Sequence, residues 1–451
     1  MNYFKELNLP QNLLENLSLL GFEQMTPIQQ KAIPYIIEGK DIIAKAKTGS
    51  GKTLAFSLPL VLKIEPKQKQ PQALIIAPTR ELSQQIAGEL KNLSRYKPDT
   101  KIVTLYGGEP LSPQATSLES GADIVVGTPG RLLDHISRGT IDLSNIKTLI
   151  VDEADRMLDM GFDRDILKIV SNLPQNRQNL LFSATYPNNI EKLASKILKN
   201  PINIEIKNDK KDNNIEEIAF QTNNKDRTLI DIIQSFQPNI ALIFCATKVK
   251  TVELSDMLHN KGFDIATLNG DLEQYQREEM LIQFSNGSLP IMVATDLAAR
   301  GLDINGIDIV INYDIPMKPQ EYIHRIGRTA RAEAKGLAIS ICDSYDKEKL
   351  KSIRPSIDIK DAKELTPDRN FFLQGKYQTL SIDGGKKKKL RAGDILGTLC
   401  KEIGLDAKDI GKINISDRYS FVAIDKSVIK KAYDGLKNGK IKKRKFRVWW
   451  L

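Results

Sequence analysis

Apolar residues along this chain fall in short unbroken runs rather than in alternation with polar ones. Six such runs come first: Ile42-Ile43-Ala44, Ala73 to Ala77, Ile102 to Leu105, Ile124-Val125-Val126, Thr148 to Val151 and Leu180-Leu181-Phe182. Each ends near Gly, Thr or Asp and is separated from the next by residues of helical period. Runs of this kind suit strands buried on both faces, as in a parallel sheet built from βαβ units. A second series follows at Ala241 to Phe244, Ile265 to Leu268, Ile291 to Ala294, Ile309 to Ile311 and Leu337 to Ile341. The pattern predicts two α/β domains in tandem, over 1–206 and 215–360. Between them, Lys207-Asn208-Asp209-Lys210-Lys211-Asp212-Asn213-Asn214 offers no apolar side chain to bury and reads as a flexible linker, 207–214. Eight residues of coil span roughly 16 Å on average, enough for the domains to swing.

A third unit, 377–451, follows a connecting stretch at 361–376 that contains Pro367. Its pattern reads strand (Thr379 to Ile382), helix (Ala392 to Ile403), strand (Lys412 to Ile415), strand (Tyr419 to Ile424), helix (Lys426 to Leu436), strand (Phe446 to Trp450). That order is the arrangement of the RNA-recognition motif, a small α+β fold.

Charge separates this unit from the rest. It holds 19 Lys and Arg against 8 Asp and Glu, which leaves 47 basic and 48 acidic residues in everything before it. A lysine-rich surface sometimes only aids solubility. An asymmetry confined to one whole domain favours a module that binds a polyanion.

With 451 residues, 41% hydrophobic and 27% charged, the chain is an ordinary globular one with room for several cores. Its three cysteines, Cys245, Cys342 and Cys400, are far apart and include no C-x-x-C pair, which argues against a disulfide framework or a thiolate zinc site and for a reducing compartment. No basic segment followed by an apolar stretch opens the chain, and nowhere do 18 uncharged apolar residues run together, so a cytoplasmic protein with no membrane partner is expected.

Candidate chemistry begins at Ala46-Lys47-Thr48-Gly49-Ser50-Gly51-Lys52-Thr53, a glycine-rich loop between a strand and a helix. In such a loop main-chain N–H groups close around phosphates, the lysine places its ammonium against them, and the threonine hydroxyl ligates Mg²⁺. Ala46 stands where the strict pattern has its first glycine. Leu149-Ile150-Val151-Asp152-Glu153 then delivers two carboxylates at the C-terminal end of a strand, where ligands bind in such sheets. Alone, an acidic pair there also suits a helix N-cap. Paired with the loop, Asp152 is the metal-holding acid and Glu153 the base that orients and deprotonates the attacking water.

These residues carry a family resemblance. Asp152-Glu153-Ala154-Asp155 spells DEAD, and over residues 4–331 the ordered motifs resemble those of DEAD-box RNA helicases: Phe22 with Thr26-Pro27-Ile28-Gln29, Pro78-Thr79-Arg80-Glu81-Leu82, Gly107-Gly108, Thr128-Pro129-Gly130-Arg131, Ser183-Ala184-Thr185, Gln274-x-x-Arg277, Ala294-Thr295-Asp296, Ala299-Arg300-Gly301-Leu302-Asp303, and His324-Arg325-Ile326-Gly327-Arg328-Thr329-Ala330-Arg331. The resemblance implies two RecA-like domains that use ATP and Mg²⁺. It implies an ATP site of Phe22, Gln29, Thr48, Gly49, Ser50, Gly51, Lys52, Thr53 and Asp303, with Gln29 bonding the adenine edge and Phe22 stacking on its face. Thr53 and Asp152 are the implied metal residues. Lys52, Glu153, Arg328 and Arg331 are the implied catalytic groups, the two arginines reaching the γ-phosphate from the second domain. Asp155, Ser183, Thr185 and His324 are implied to couple the domains.

For RNA, the resemblance implies backbone contacts from Thr79, Arg80, Gly108, Thr128, Gly130 and Arg131 in the first domain. In the second it implies Thr247, Gln274, Arg277, Thr295 and Asp296, with Asp296 accepting a 2′-hydroxyl hydrogen. The third unit, through Thr379 to Lys387, Arg391 to Gly397, Ile403 to Leu405, Asp409 to Ile413 and Gly439 to Lys442, resembles the C-terminal domain of DbpA-type bacterial helicases. From the residues themselves, Tyr419 and Phe421 are expected to share a strand face, either stacking bases or packed under a helix. Ser381 stands where an aromatic is usual, so the exposed basic residues carry more weight: Lys386, Lys387, Lys388, Lys389, Arg391, Lys440, Lys442, Lys443, Arg444, Lys445 and Arg447. Trp449 and Trp450 suit either core or stacking. The subfamily resemblance implies a monomeric RNA-dependent ATPase that binds a large-subunit ribosomal RNA hairpin and acts on pre-50S particles. A general RNA chaperone with a nonspecific tail, or an ATP-gated RNA clamp, remains open on the residues alone.

Overall fold

The computed structural model describes residues 2–46, 49–186, 188–206, 215–299, 306–329 and 335–451; the linker expected at 207–214 lies outside them. Seven strands make the sheet of the first domain: β1 (Ile42–Lys45), β2 (Ala73–Ile76), β3 (Ile102–Leu105), β4 (Ile124–Gly127), β5 (Thr148–Val151), β6 (Gln178–Ser183) and β7 (Ile202–Glu205). They lie in the order β3-β4-β2-β5-β6-β1-β7, and every neighbouring pair is parallel. Successive residues of a strand point to opposite faces, so the apolar runs feed two cores. Ile42, Ala44, Ile75, Val126, Ile150 and Phe182 join one, while Ile43, Leu74, Val125, Leu149, Val151 and Leu181 join the other.

The second domain repeats this plan. Strands β8 (Ile215–Gln221), β9 (Ala241–Cys245), β10 (Ile265–Leu268), β11 (Ile291–Thr295), β12 (Ile309–Asn312), β13 (Gly336–Cys342) and β14 (Asp358–Asp361) lie in the order β10-β11-β9-β12-β13-β8-β14, again all parallel. Counted from its first strand, each sheet has the same order. The helix after β1 starts at Lys52, and the helix after β8 starts at Lys225. In the second domain that lysine is consumed internally: its Nζ meets Asp346 at 2.5 Å and Asp314 at 3.9 Å, and Asn224 caps the helix where the first domain has its glycine loop.

The third domain has four antiparallel strands, β15 (Tyr377–Ile382), β16 (Ile410–Ile415), β17 (Ser420–Asp425) and β18 (Val448–Trp450), in the order β16-β17-β15-β18. Leu380, Ile382, Val422, Ile424 and Val448 face the helices and form its core. The first predicted helix is α-helical only over Ala392–Gly397 and continues as a π-helical turn, Thr398–Glu402. The second starts at Ile429 rather than Lys426, because Asp425 accepts from Ser427 N and Oγ and holds residues 425–428 in a turn.

This domain is mounted on the second. Residues of the stretch 361–376 pack there: Arg369 donates to Asp231 at 2.5 Å, the Phe372 ring lies 5.7 Å from that of Phe263, and Leu373 joins the second domain's core. Asp264 accepts from Gly375 N at 2.9 Å and from Lys426 Nζ at 2.7 Å. On the sheet face away from the helices, Thr379 Oγ1 bonds Asn286 Nδ2 and Ser288 Oγ, each at 2.9 Å. Among the described residues no helix is long and apolar enough to cross a membrane.

Candidate nucleotide pocket and nucleic-acid surfaces

Apart from Phe22 and Gln29, which precede β1, the sequence-predicted groups of the first domain emerge at the C-terminal ends of its strands, and the strand order sorts them. β5, β6 and β1 are neighbours; they carry the carboxylates, Ser183 with Thr185, and the glycine loop. β3, β4 and β2 form the other side; they carry Gly108, Thr128 to Arg131, and Thr79 with Arg80. In the second domain Thr247, Gln274, Arg277, Thr295 and Asp296 follow or end β9, β10 and β11, while His324 and Arg328 follow β12. Thr48, Asp303 and Arg331 lie outside the described residues.

The loop after β1 turns through Gly49 at φ 80° and Gly51 at φ 88°, left-handed conformations open to glycine without cost. A Cβ on Gly51 would also lie 2.5 Å from Gln29 Nε2. That closeness is used, since Gln29 Nε2 donates to Gly51 O at 3.1 Å and its Oε1 accepts from Thr26 N at 2.8 Å. One N–H and one oxygen lone pair of the amide remain, which is what the adenine edge needs. Phe22 is 41% exposed, so it is a surface ring and not a core one.

Lys52 begins the following helix with its Nζ buried and without a hydrogen-bond partner, while Thr53 beside it is half-buried. Burial pushes the Asp152 carboxyl up to about 6, and Lys52 pulls the other way. A dry unpartnered ammonium beside a carboxyl short of positive charge is the donor set that a phosphate and a divalent cation satisfy together. Asp152 Oδ1 accepts from Glu153 N at 2.9 Å. Glu153 itself sits at φ 51°, a left-handed conformation costing a non-glycine residue about 1 kcal/mol or more, and is held by Arg156 Nη1 at 2.6 Å within a buried pair. Asp155 Oδ2 accepts from both Thr185 N and Thr185 Oγ1 at 2.8 Å, and Ser183 Oγ donates to Thr185 O at 2.6 Å. Thr185 thus bonds Asp155 directly, and Ser183 stands one step behind it, through Thr185 O.

On the other half of the sheet, Thr79 caps the helix Arg80–Leu93, accepting from Leu82 N at 3.2 Å, and Thr128 begins the turn into Pro129–Ser137. Gly130 faces open space. Arg80 and Arg131 both bond Glu109, a residue no motif singled out. In the second domain Thr247 caps its helix through Lys250 N at 3.1 Å, Gln274 starts the helix Gln274–Ser285, and Arg277 Nη2 donates to Ala298 O at 2.6 Å. Thr295 Oγ1 accepts from Ala298 N at 3.4 Å. Asp296, expected to accept from a sugar hydroxyl, is gripped by both arms of buried Arg325 at 2.6 Å, so one lone pair per oxygen is already taken. His324 is half-buried on the helix Pro319–Ile326, and Arg328 is buried in the turn after it.

In the third domain Phe421 is buried, only 3% exposed, on the covered sheet face it shares with Thr379 and Ser381, so of the two alternatives open for it in sequence it is packed rather than presented for stacking. Tyr419 lies just before β17 and stays on the surface, edge-on to Trp449 at 5.7 Å. Trp450 stacks obliquely on Tyr433 at 4.9 Å. Lys386 to Lys389, Arg391, Lys440, Lys442 to Lys445 and Arg447 are all exposed. Two loops bring them together: Lys442 Nζ reaches Lys389 O at 3.4 Å, and Lys388 Nζ lies 5.9 Å from the Phe446 ring.

A repeated parallel-sheet domain with phosphate-loop chemistry in one copy only, followed by a basic domain, defines a nucleoside-triphosphate-driven enzyme acting on a polyanion. Residues 26–193 match the DEAD/DEAH box helicase family model, 224–333 the helicase conserved C-terminal domain, and 379–449 the DbpA RNA binding domain. The chain is 44% identical to the ATP-dependent RNA helicase DbpA of Escherichia coli over 99% of each, and 38% identical to that of Bacillus subtilis over 94% of each. It also matches the structure of S. cerevisiae Dbp5 bound to RNA and ADP BeF3, at 29% identity and TM-score 0.73, over 81% of this chain and 97% of that one. This chain belongs to the DEAD-box ATP-dependent RNA helicases, and within them to the DbpA type, with an RNA-binding C-terminal domain.

Proposed function

We propose that this chain separates short RNA duplexes locally, by closure of its first two domains on ATP and RNA, and that its third domain directs it to a hairpin of large-subunit (23S) ribosomal RNA in pre-50S particles. The observation that carries this reading is the sorting of groups along the first sheet: anion and metal chemistry on the β5-β6-β1 half, amide, hydroxyl and guanidinium groups on the β3-β4-β2 half. Two ligands that each engage both domains favour the same closed arrangement and hence each other.

Within the pocket Lys52 binds the phosphates, while Thr53 and Asp152 are the residues suited to hold Mg²⁺. Bound there, that ion neutralises charge building on the phosphate oxygens. Glu153, aimed by Arg156, orients the attacking water and takes its proton. Arg328 and Arg331 supply positive charge to the γ-phosphate, a contribution of about 10³ to 10⁵ in rate in related phosphoryl transfer. The exposed basic loops of the third domain bind RNA phosphates. The chain works as a cytoplasmic monomer.

The test compares stimulation of ATP hydrolysis by a ribosomal hairpin RNA and by a scrambled RNA of equal length, with Glu153→Gln as control. The native chain responds to the hairpin at far lower concentration, and the variant binds ATP and RNA without turnover. Equal response to both RNAs would instead make the chain a general chaperone, and hairpin response without strand separation in a single turnover would make it a clamp.

A further inference from the structure

Strand β3 ends at Leu105, and the chain turns through Tyr106, Gly107 and Gly108 before the helix Leu111–Glu119. Gly108 takes φ 79°, so the turn folds back sharply and carries Glu109 to two arginines from different helices. Arg80 Nη2 donates to Glu109 Oε1 at 2.6 Å, and Arg131 Nη2 donates to Glu109 main-chain O at 2.8 Å. The Arg80 guanidinium also lies 4.6 Å from the Tyr106 ring centre, and that ring is fixed by a bond from Gln84 Nε2 to its hydroxyl at 2.8 Å. Three nitrogens of the pair, Arg80 Nε and Nη1 and Arg131 Nη1, are buried without a hydrogen-bond partner.

Buried donors nearly always find acceptors, so three orphans on the two guanidinium groups held by Glu109 are hydrogen-bonding capacity that no described group of the chain uses. A carboxylate beside a surface for phosphates repels them; its benefit must be geometric. We infer that Glu109 is a positioning residue for the RNA backbone. Its carboxylate fixes the planar fork of Arg80 and its main-chain oxygen fixes that of Arg131, so both are set before a phosphate arrives and less ordering is needed on binding. This rests on the proposed role of Arg80 and Arg131 as RNA contacts.

The measurement is the RNA concentration giving half-maximal ATPase stimulation of the full chain. Glu109→Ala raises it about tenfold, the order expected for a lost bond to a charged group, although the substitution removes a negative charge. Glu109→Gln keeps the acceptor and recovers most of that loss. Because only the side chain is removed, Glu109→Ala adds nothing further to Arg80→Ala but is additive with Arg131→Ala, whose main-chain acceptor remains. Unchanged or tighter RNA activation in Glu109→Ala, failure of Glu109→Gln to recover, or full additivity with Arg80→Ala would overturn the positioning role. If Arg80→Ala and Arg131→Ala themselves leave RNA activation and its salt dependence unchanged, what fails is the RNA-surface reading beneath it.

Discussion

Asp152 and Lys52 are a pair that burial sets in tension. The ammonium has no partner, and the carboxyl is pushed up to about 6 from 3.8 by desolvation despite that ammonium. A carboxyl whose folded value lies above its unfolded one stabilises the fold fully below about 3.8 and loses that contribution as pH rises through about 6. The gap of about two units corresponds to about 3 kcal/mol between the limits. Asp152→Asn has no charge to bury, so the melting temperature of the ligand-free variant minus that of the native chain should grow more positive between pH 4 and pH 7. ATP with Mg²⁺ should then stabilise the native chain and not the variant. A difference independent of pH would remove burial of this carboxylate as the source of the tension.

At the scale of elements, the turn joining Ile441 to Arg444 stores strain where it is useful. Ile441 and Arg444 exchange both main-chain bonds, and the two residues between them, Lys442 at φ 52° and Lys443 at φ 65°, lie in the left-handed region. Asn-Gly is the pair such a turn prefers, and two lysines there cost about 2 kcal/mol or more together. Their exposure at the basic end of the domain is the compensating gain. Lys442→Asn with Lys443→Gly should therefore raise the urea midpoint of the third domain while lowering the salt dependence of RNA binding by about 1 to 2 in log–log slope. The chain's 2 tryptophans are both in β18, so their fluorescence reports this domain selectively. A variant no more stable than the native chain, or equally salt-sensitive, would deny the trade. The turn was invisible in sequence because nothing in Lys-Lys marks a left-handed bend. The eleven apolar runs of the first two domains, by contrast, all lie on strands, since burial on both faces leaves an unmistakable signature. β7, β8 and β14 left none: each is buried over only part of its length and carries polar residues among the apolar ones. In the pocket, loop and strand-end spacing marked Lys52, Asp152 and Glu153, whereas Glu109 and Arg325 act through partners 29 residues away in sequence, a distance no local pattern spans.

Over the whole molecule, the mount of the third domain decides whether RNA held by the tail is placed or merely tethered. The connecting stretch is packed on the second domain, and the sheet face that carries Thr379 meets Asn286 and Ser288. RNA bound at the basic loops, as proposed, would thus be held at a set position relative to β10 and its neighbours. Asp264 is the hinge of this arrangement, because its one carboxylate oxygen accepts from both Gly375 N and Lys426 Nζ. Asp264→Lys replaces that attraction with repulsion and leaves the basic loops untouched. Hairpin affinity should then stay within about twofold of native, whereas ATPase stimulation by a hairpin carrying an adjacent duplex should drop toward that given by nonspecific RNA. Half of this interaction is a partly exposed ion pair worth only about 1 kcal/mol, and the loss of the Gly375 bond is what makes the reversal severe. Pairing Asp264→Lys with Lys426→Asp restores the ion pair but not the bond to Gly375 N, so stimulation should recover in part. Full stimulation in Asp264→Lys alone would show that the tail works as a flexible tether, and the rigid mount would then have no part in coupling RNA recognition to the ATPase.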